Sequence, residues 1–197
     1  MMYSQNAEER FIVDYFKDKT GSFLDIGGFD PFLFSNTRKL YEMGWSGVIV
    51  EPSPVCFKTF VKEYKDNDRI VLINKAVSDT DRPLVFYESN GDAVGTSDVK
   101  HMEKWKAGNN IKYTTIQVPA ISMHALLSEH FRWVRFLSLD VEATNMNLFL
   151  LLPDWFLKQI EMICIEHDNM QDGILSRLRP FGYKEIYRNA ENIICAK

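Results

Sequence analysis

At 197 residues and 22.9 kDa the chain is long enough for one domain with a full core, expected to span 1–197, and too short for two independent ones. Hydrophobic residues at 46% and charged residues at 25%, with 14 Phe, 8 Tyr and 4 Trp, exclude a disordered or fibrous chain. A formal net charge of -4 without any Lys/Arg cluster excludes the basic face that nucleic-acid binding needs, so no nucleic-acid partner is expected.

The opening MMYSQNAEERF has no apolar segment of signal-peptide length, and the longest apolar run, LFLLL at 148–152, stops at Pro153 and Asp154. No membrane segment is expected. Cys56, Cys164 and Cys195 are an odd set without ligand-like spacing, and two lie in apolar runs. They indicate a reducing, cytoplasmic setting and not a disulfide framework. Nothing in the sequence sets an oligomeric state.

Short apolar runs alternate with amphipathic stretches, the pattern of a parallel sheet covered by helices on both faces. Phe11, Ile12, Tyr15 and Phe16 form one stripe of a first helix over Ala7 to Lys17. SFLDIG is the first strand. Ser35 to Met43 follows as a helix, with Ser35 as N-cap and Gly44 as stop. SGVIVEP is the second strand, ending in Glu51, and Pro54 to Tyr64 is a helix turning Val55, Phe57, Phe60, Val61 and Tyr64 inward. RIVLINKAVSD is the third strand, ending near Asp79.

The rhythm then changes. PLVFYES and YTTIQVPAIS read as a β-pair flanking a polar loop from Asn90 to Asn110, an insertion or lid at about 83–122. HALLSEHF resumes as a helix, RFLSLDVE as the fourth strand, MNLFLLL as a helix and EMICIEHD as the fifth strand. YKEIYRNAENIICAK has the form of a closing antiparallel pair.

In an open α/β sheet the ligand crevice lies beyond the carboxyl ends of the strands. The residues expected there are Asp25, Gly27, Gly28 and Asp30, then Glu51 and Pro52, then Asp79, then Asp140 and Glu142, then Glu166, His167 and Asp168. Glu51 follows Gly27 at close to the ~20-residue interval of a ribose-binding carboxylate. The first turn, however, puts Phe29, Asp30 and Pro31 where a pyrophosphate-binding turn wants more glycines. Phosphate is disfavoured and a cationic nucleoside favoured, a demand that S-adenosylmethionine fits. Taken alone, Glu51 reads equally well as a solvated acid before Pro52, and Asp79 as a turn residue in SDTD. The combination carries the reading.

YSQNAEERFI, SFLDIGGFDPFLFSNT, GWSGVIVEPSP, NKAVSD and FLSLDVEATN followed by ICIEHD resemble, in order and spacing, the FkbM-type S-adenosylmethionine-dependent methyltransferases. The resemblance covers nearly the whole chain. It implies a class I methyltransferase fold, a Rossmann-like three-layer α/β sandwich with a mostly parallel seven-stranded sheet and an antiparallel last strand. It also implies O-methylation of a hydroxyl on a sugar or other small metabolite. Asp25, Gly27 and Gly28 would lie under the methionine part of the cofactor, Glu51 on the ribose, Val77, Ser78 and Asp79 beside adenine, and Asp140 facing the ammonium or sulfonium. Two positions depart from the pattern: Pro31 stands where the family has glycine, and Asn145 where it has a second acid.

For the proton of the acceptor hydroxyl, His167 is the first candidate base, oriented by Glu166 and Asp168, and Glu142 the second. His101 and His124 read as solvated surface residues. Trp105, Tyr113, Phe86 and Tyr87 are candidates for an acceptor pocket under the lid. Asp140, Glu142, Glu166 and His167 could instead hold a divalent cation, but no compact ligand spacing supports one, and no metal site is predicted. Two alternatives stand beside the enzyme reading: a non-catalytic or altered S-adenosylmethionine-binding module, and a nicotinamide-dependent oxidoreductase, which the acidic, glycine-poor turn opposes.

Overall fold

The computed structural model describes residues 2–130 and 133–197. In chain order the elements are α1 (Glu8–Phe16), β1 (Ser22–Ile26), α2 (Arg38–Glu42), β2 (Ser46–Val50), α3 (Pro54–Tyr64), β3 (Ile70–Ile73), β4 (Ala76–Ser78) and β5 (Leu84–Glu88). Next come α4 (Val99–Asn109), β6 (Thr114–Val118), β7 (Ala120–Ser122), α5 (Met123–His130), β8 (Val134–Leu139) and α6 (Asn145–Leu150). The last are α7 (Asp154–Gln159), β9 (Met162–Glu166), α8 (Gln171–Leu178), β10 (Lys184–Arg188) and β11 (Asn192–Ala196).

Seven strands form one sheet in the order β10-β11-β9-β8-β1-β2-β3. β1, β2, β3, β8 and β9 pair in parallel, and β11 runs antiparallel to both β9 and β10. Strand periodicity builds the layers. In β2, Val48 and Val50 join one core cluster and Ile49 the other; in β9, Ile163 and Ile165 face one way and Met162 and Cys164 the opposite way. α5, α6, α7 and α8 cover the first face through Leu126, Phe149, Phe156 and Ile174. α1, α2 and α3 cover the second through Phe16, Leu40 and Phe60. Each such side chain, removed from water, contributes roughly 1.5–3 kcal/mol.

The structure corrects several boundaries. α2 begins at Arg38, although Ser35 Oγ does accept the Arg38 amide at 3.1 Å. α3 has the expected span, capped by Ser53 Oγ on the amides of Val55 and Cys56, but buries Cys56, Phe60 and Tyr64 while Val55 and Val61 are exposed. The third strand breaks at Asn74, whose side-chain amide donates to the carbonyls of Glu51 and Pro52. Beyond the break, β4 pairs in parallel with β7 in a separate two-stranded sheet. β5 and β6 pair antiparallel, and the segment between them holds a helix, α4, with no buried residue. Sequence periodicity passed over α7 and α8. Phe131, the expected end of the helix that starts at His124, lies outside the described residues. All three cysteines are buried and unbonded. Among the described residues no helix is long and apolar enough to cross a membrane.

Candidate functional site

Strand order reverses between β1 and β8, and a crevice opens there beyond their carboxyl ends. Its floor is the turn of Gly27, Gly28 and Phe29. Gly27 lies at φ +84°, and a Cβ on it would fall 1.6 Å from the Asp140 carbonyl oxygen, so only glycine lets the two strand ends meet. The amides of this turn are spent inside the protein. Those of Gly27 and Gly28 donate to the Val50 carbonyl at 2.9 and 3.4 Å, and that of Phe29 donates to Glu51 Oε2 at 2.9 Å. A phosphate here would find none of these three amides free and a carboxylate behind them.

Glu51, at the end of β2, is 5% exposed. Its Oε1 accepts the Ser53 amide at 2.7 Å, which leaves each carboxylate oxygen one lone pair for a ligand. Burial pushes its carboxyl up to about 7; the two amides pull it down, and the charges of Glu88 and Asp25 add to the rise. Asp25 lies beneath the turn, where Thr37 Oγ1 donates to its Oδ2 at 2.6 Å. Burial raises it to about 6 against the hydrogen bonds from Thr37 and Ser138.

Gly27, Glu51, Pro52 and Val77 line a narrow chamber open to solvent, with Phe86 and residues of the 92–97 turn of the insertion also on its wall. A smaller chamber over Asp25, Gly27 and Gly28 adjoins it, as does a wider one under α4. Asp140 and Glu142 border all three, which makes the end of β8 their junction.

Four acids converge there. Burial together with the neighbouring carboxyls of Glu166, Glu142 and Asp168 holds Asp140 well above the usual carboxylate range. Burial, Glu142 and Asp168 likewise raise Glu166 to about 7. Asn145, fully buried, ties the group together: its Oδ1 accepts the Val141 amide at 2.8 Å, and its Nδ2 donates to Glu166 Oε2 and, at 3.1 Å, to Asp168 Oδ2. Glu142 and Ala143 lie at φ +55° and +74°, a left-handed pair that turns the loop across the crevice. Thr96 Oγ1, from the insertion, donates to the Glu142 carbonyl at 2.8 Å. His101 Nε2 stands 3.0 Å from Glu142 Oε2, an ion-pair distance with no aligned hydrogen bond along it. Among the described residues no set of three or more His, Cys, Asp or Glu side chains is arranged to hold a metal ion.

The expected residues thus divide. Asp25, Gly27, Gly28, Glu51, Pro52, Val77, Asp140 and Glu142 come together on the chamber walls. Asp30 instead folds back on its own loop, its Oδ1 accepting the amides of Phe32 and Leu33 at 2.8 and 3.0 Å. Ser78 Oγ bonds locally to Thr80 and Asp79 is exposed, so neither lines a chamber. His167 borders the wide chamber, but both ring nitrogens are engaged: Nδ1 accepts the Asn169 amide at 3.1 Å, and Nε2 faces the Asn189 carbonyl at 3.3 Å. Those backbone groups orient the ring, in place of the neighbouring acids. Trp105 lines the wide chamber and Phe86 the first, whereas Tyr113 bonds to the Val94 carbonyl. His101, expected to be a solvated surface residue, is instead packed against Glu142 with its side chain 12% exposed. The cap three residues earlier, Asp98 on the His101 amide, was the available sign that a helix starts there.

No protein-family model matches the sequence, and none of the curated proteins is similar to it at the sequence level. Among solved structures the chain is similar to methyltransferase FkbM from Methylobacillus flagellatus, with TM-score 0.57 and 11% identity over 90% of this chain and 44% of that one. It is similar to an rRNA methylase from Streptococcus thermophilus, with TM-score 0.52 and 9% identity over 100% of this chain and 99% of that one. It is also similar to the METTL16 methyltransferase domain, with TM-score 0.51 and 13% identity over 95% of this chain and 63% of that one. The chain therefore spans less than half of the FkbM structure. At these identities the likeness shows the fold, which is the class I methyltransferase sandwich.

Proposed function

We propose that the chain is an S-adenosylmethionine-dependent methyltransferase that methylates a hydroxyl on a sugar or other small metabolite. The first turn carries the reading. Its three amides are committed to Val50 and Glu51, and Asp25, Glu51, Asp140 and Glu142 stand on the walls of the chambers around it, the first of which is otherwise largely apolar, with Lys75 a cation on its wall. Such a site suits a nucleoside that bears positive charge and no phosphate, and opposes a dinucleotide. The shared fold with three structures named as methyltransferases or methylases supports the reaction class. One of them is named for rRNA, but the net charge of -4 and the acids at the junction disfavour a polyphosphate backbone as acceptor.

When bound, the donor supplies a methyl group on a sulfonium, which an oxygen nucleophile displaces as the C–S bonding pair departs on sulfur. Glu51 takes the ribose hydroxyls on its two remaining lone pairs, and Pro52 and Val77 flank the base. Asp25 and Asp140 face the cationic end. Glu142 is the group at the junction that receives the hydroxyl proton, since a carboxylate there borders both the cofactor and the acceptor chambers. It takes precedence over His167, whose ring is already bonded on both nitrogens.

Calorimetric titration with S-adenosylhomocysteine tests the assignment. The wild type is expected to bind, and Glu51→Ala to bind at least tenfold more weakly; Glu51→Gln, which retains an acceptor for one amide, controls for disturbance of the turn. Equal affinity in all three would remove the ribose role from Glu51. Binding without methyl transfer to any hydroxyl in a sugar panel would favour a non-catalytic module.

A further inference from the structure

Glu88 ends β5 in the insertion and is 4% exposed. Its Oε1 accepts the Gly91 amide at 3.1 Å, while its Oε2 is buried without a hydrogen-bond partner. A buried carboxylate oxygen left unpaired is costly, so its presence calls for a donor that arrives from elsewhere.

Glu88 is not itself on the chamber wall, but its neighbours on β5 and in the following turn bring this oxygen up behind it. Side chains two apart on a strand share a face, and Phe86, two residues before Glu88, lines the chamber. The turn after β5 rests on the start of α3, where a Cβ on Gly91 would come within 3.1 Å of Val55 Cγ1.

We propose that Glu88 is a second carboxylate reading the bound nucleoside, with its free Oε2 accepting a hydrogen bond from a ligand donor, either the exocyclic amine of adenine or a ribose hydroxyl. The inference rests on the nucleoside reading of the chamber. With Glu51 it also sets specificity. If Glu88 reads the ribose, a nucleoside phosphorylated there meets two carboxylates, whereas an unphosphorylated one offers each of them a donor.

The experiment is calorimetry on wild type and Glu88→Gln with three probes: S-adenosylhomocysteine, S-inosylhomocysteine, which replaces the amine by a carbonyl, and the 2′-deoxy analogue of S-adenosylhomocysteine. Glutamine keeps an acceptor for Gly91 and turns an N–H₂ toward the ligand. If Glu88 reads the amine, the wild-type preference for adenine over inosine falls at least tenfold in the variant. If it reads the ribose, the preference over the deoxy analogue falls instead. Thermal stability should hold or rise, because an unpaired charge is removed. Glu88→Asp, which keeps the charge and withdraws the oxygen, should weaken S-adenosylhomocysteine at least fivefold. If both preferences stay unchanged while Glu51→Ala still weakens binding, the proposal is overturned and the nucleoside reading survives. No binding to wild type overturns both.

Discussion

Gly27 and Asp140 touch where the two halves of the sheet diverge: the Gly27 Cα sits against the Asp140 carbonyl, and the Asp140 amide donates back to the carbonyl of Ile26 at 3.0 Å. A methyl group at Gly27 meets backbone, not a movable side chain, and would also have to occupy φ +84°. Gly27→Ala is therefore expected to lower stability by at least about 3 kcal/mol, measured by urea denaturation. Gly44→Ala is the comparison: it sits at φ +93° with open space around it, so it should lose only the conformational part, roughly 1–2 kcal/mol. Equal losses would mean that the strand ends can part without cost.

Ala143 carries strain that glycine would release. It follows Glu142 in a left-handed pair, at φ +74°. Left-handed backbone costs an L-residue about 1–2 kcal/mol, and glycine returns part of that gain by loosening the unfolded chain. Ala143→Gly should raise stability by roughly 0.5–1 kcal/mol in a denaturant titration. A loss would show that the Ala143 methyl packs usefully in the loop.

The buried acids make the unliganded protein sensitive to alkali. Folding raises Glu51 and Glu166 from 4.5 to about 7 and Asp25 from 3.8 to about 6, and raises Asp140 well above its ordinary value. A carboxyl raised by folding stabilises the protein below its unfolded value, and that stability is lost as pH climbs through the folded value. Melting temperature should thus fall between about pH 5 and pH 8. Glu42 works in the opposite sense: its hydrogen bonds lower it to about 2, so its contribution disappears only in acid, outside this window. Glu51→Gln should flatten part of the slope. A cationic ligand should release protons on binding near pH 6, seen as a dependence of the calorimetric heat on the buffer's ionisation enthalpy.

How much of this was legible depends on how far apart the interacting residues lie. Strand periodicity announced the two core faces, because Val48, Ile49 and Val50 need only their own spacing to divide between them. The strand-end acids could be listed for the same reason. Their partners could not: the Asn145 amide bridges residues 21 and 23 positions away, and the third strand ended early because Asn74 turns its side chain back to Glu51 and Pro52. α4 was hidden by its polarity, since a helix that buries nothing has no apolar stripe to read. Glu88 was not singled out within PLVFYES; only its burial and unpaired oxygen mark it out.

Asn145 stands where the FkbM-type pattern that the sequence resembles has an acid, and its contacts give it a physical role of its own. Its amide supplies the only type of group that can accept from the Val141 amide and donate to both Glu166 and Asp168 at once. Asn145→Ala leaves the Val141 amide unpaired and takes a donor from Glu166 and Asp168; it should cost about 2–4 kcal/mol near neutral pH, the loss growing as pH rises because the Asn145 donor holds Glu166 down. Asn145→Asp keeps the acceptor but sets a charge against Glu166 and Asp168. Its loss should be small in acid, where Glu166 holds its proton, and should grow as pH rises toward 8. Adding Asp168→Asn restores a donor and removes a charge, so the double variant should regain at least half of the lost stability at high pH. Denaturant titrations of the three variants across pH decide the matter: a pH-independent loss in Asn145→Asp, or no recovery in the double variant, would mean that Asn145 fills space and does not space the charges.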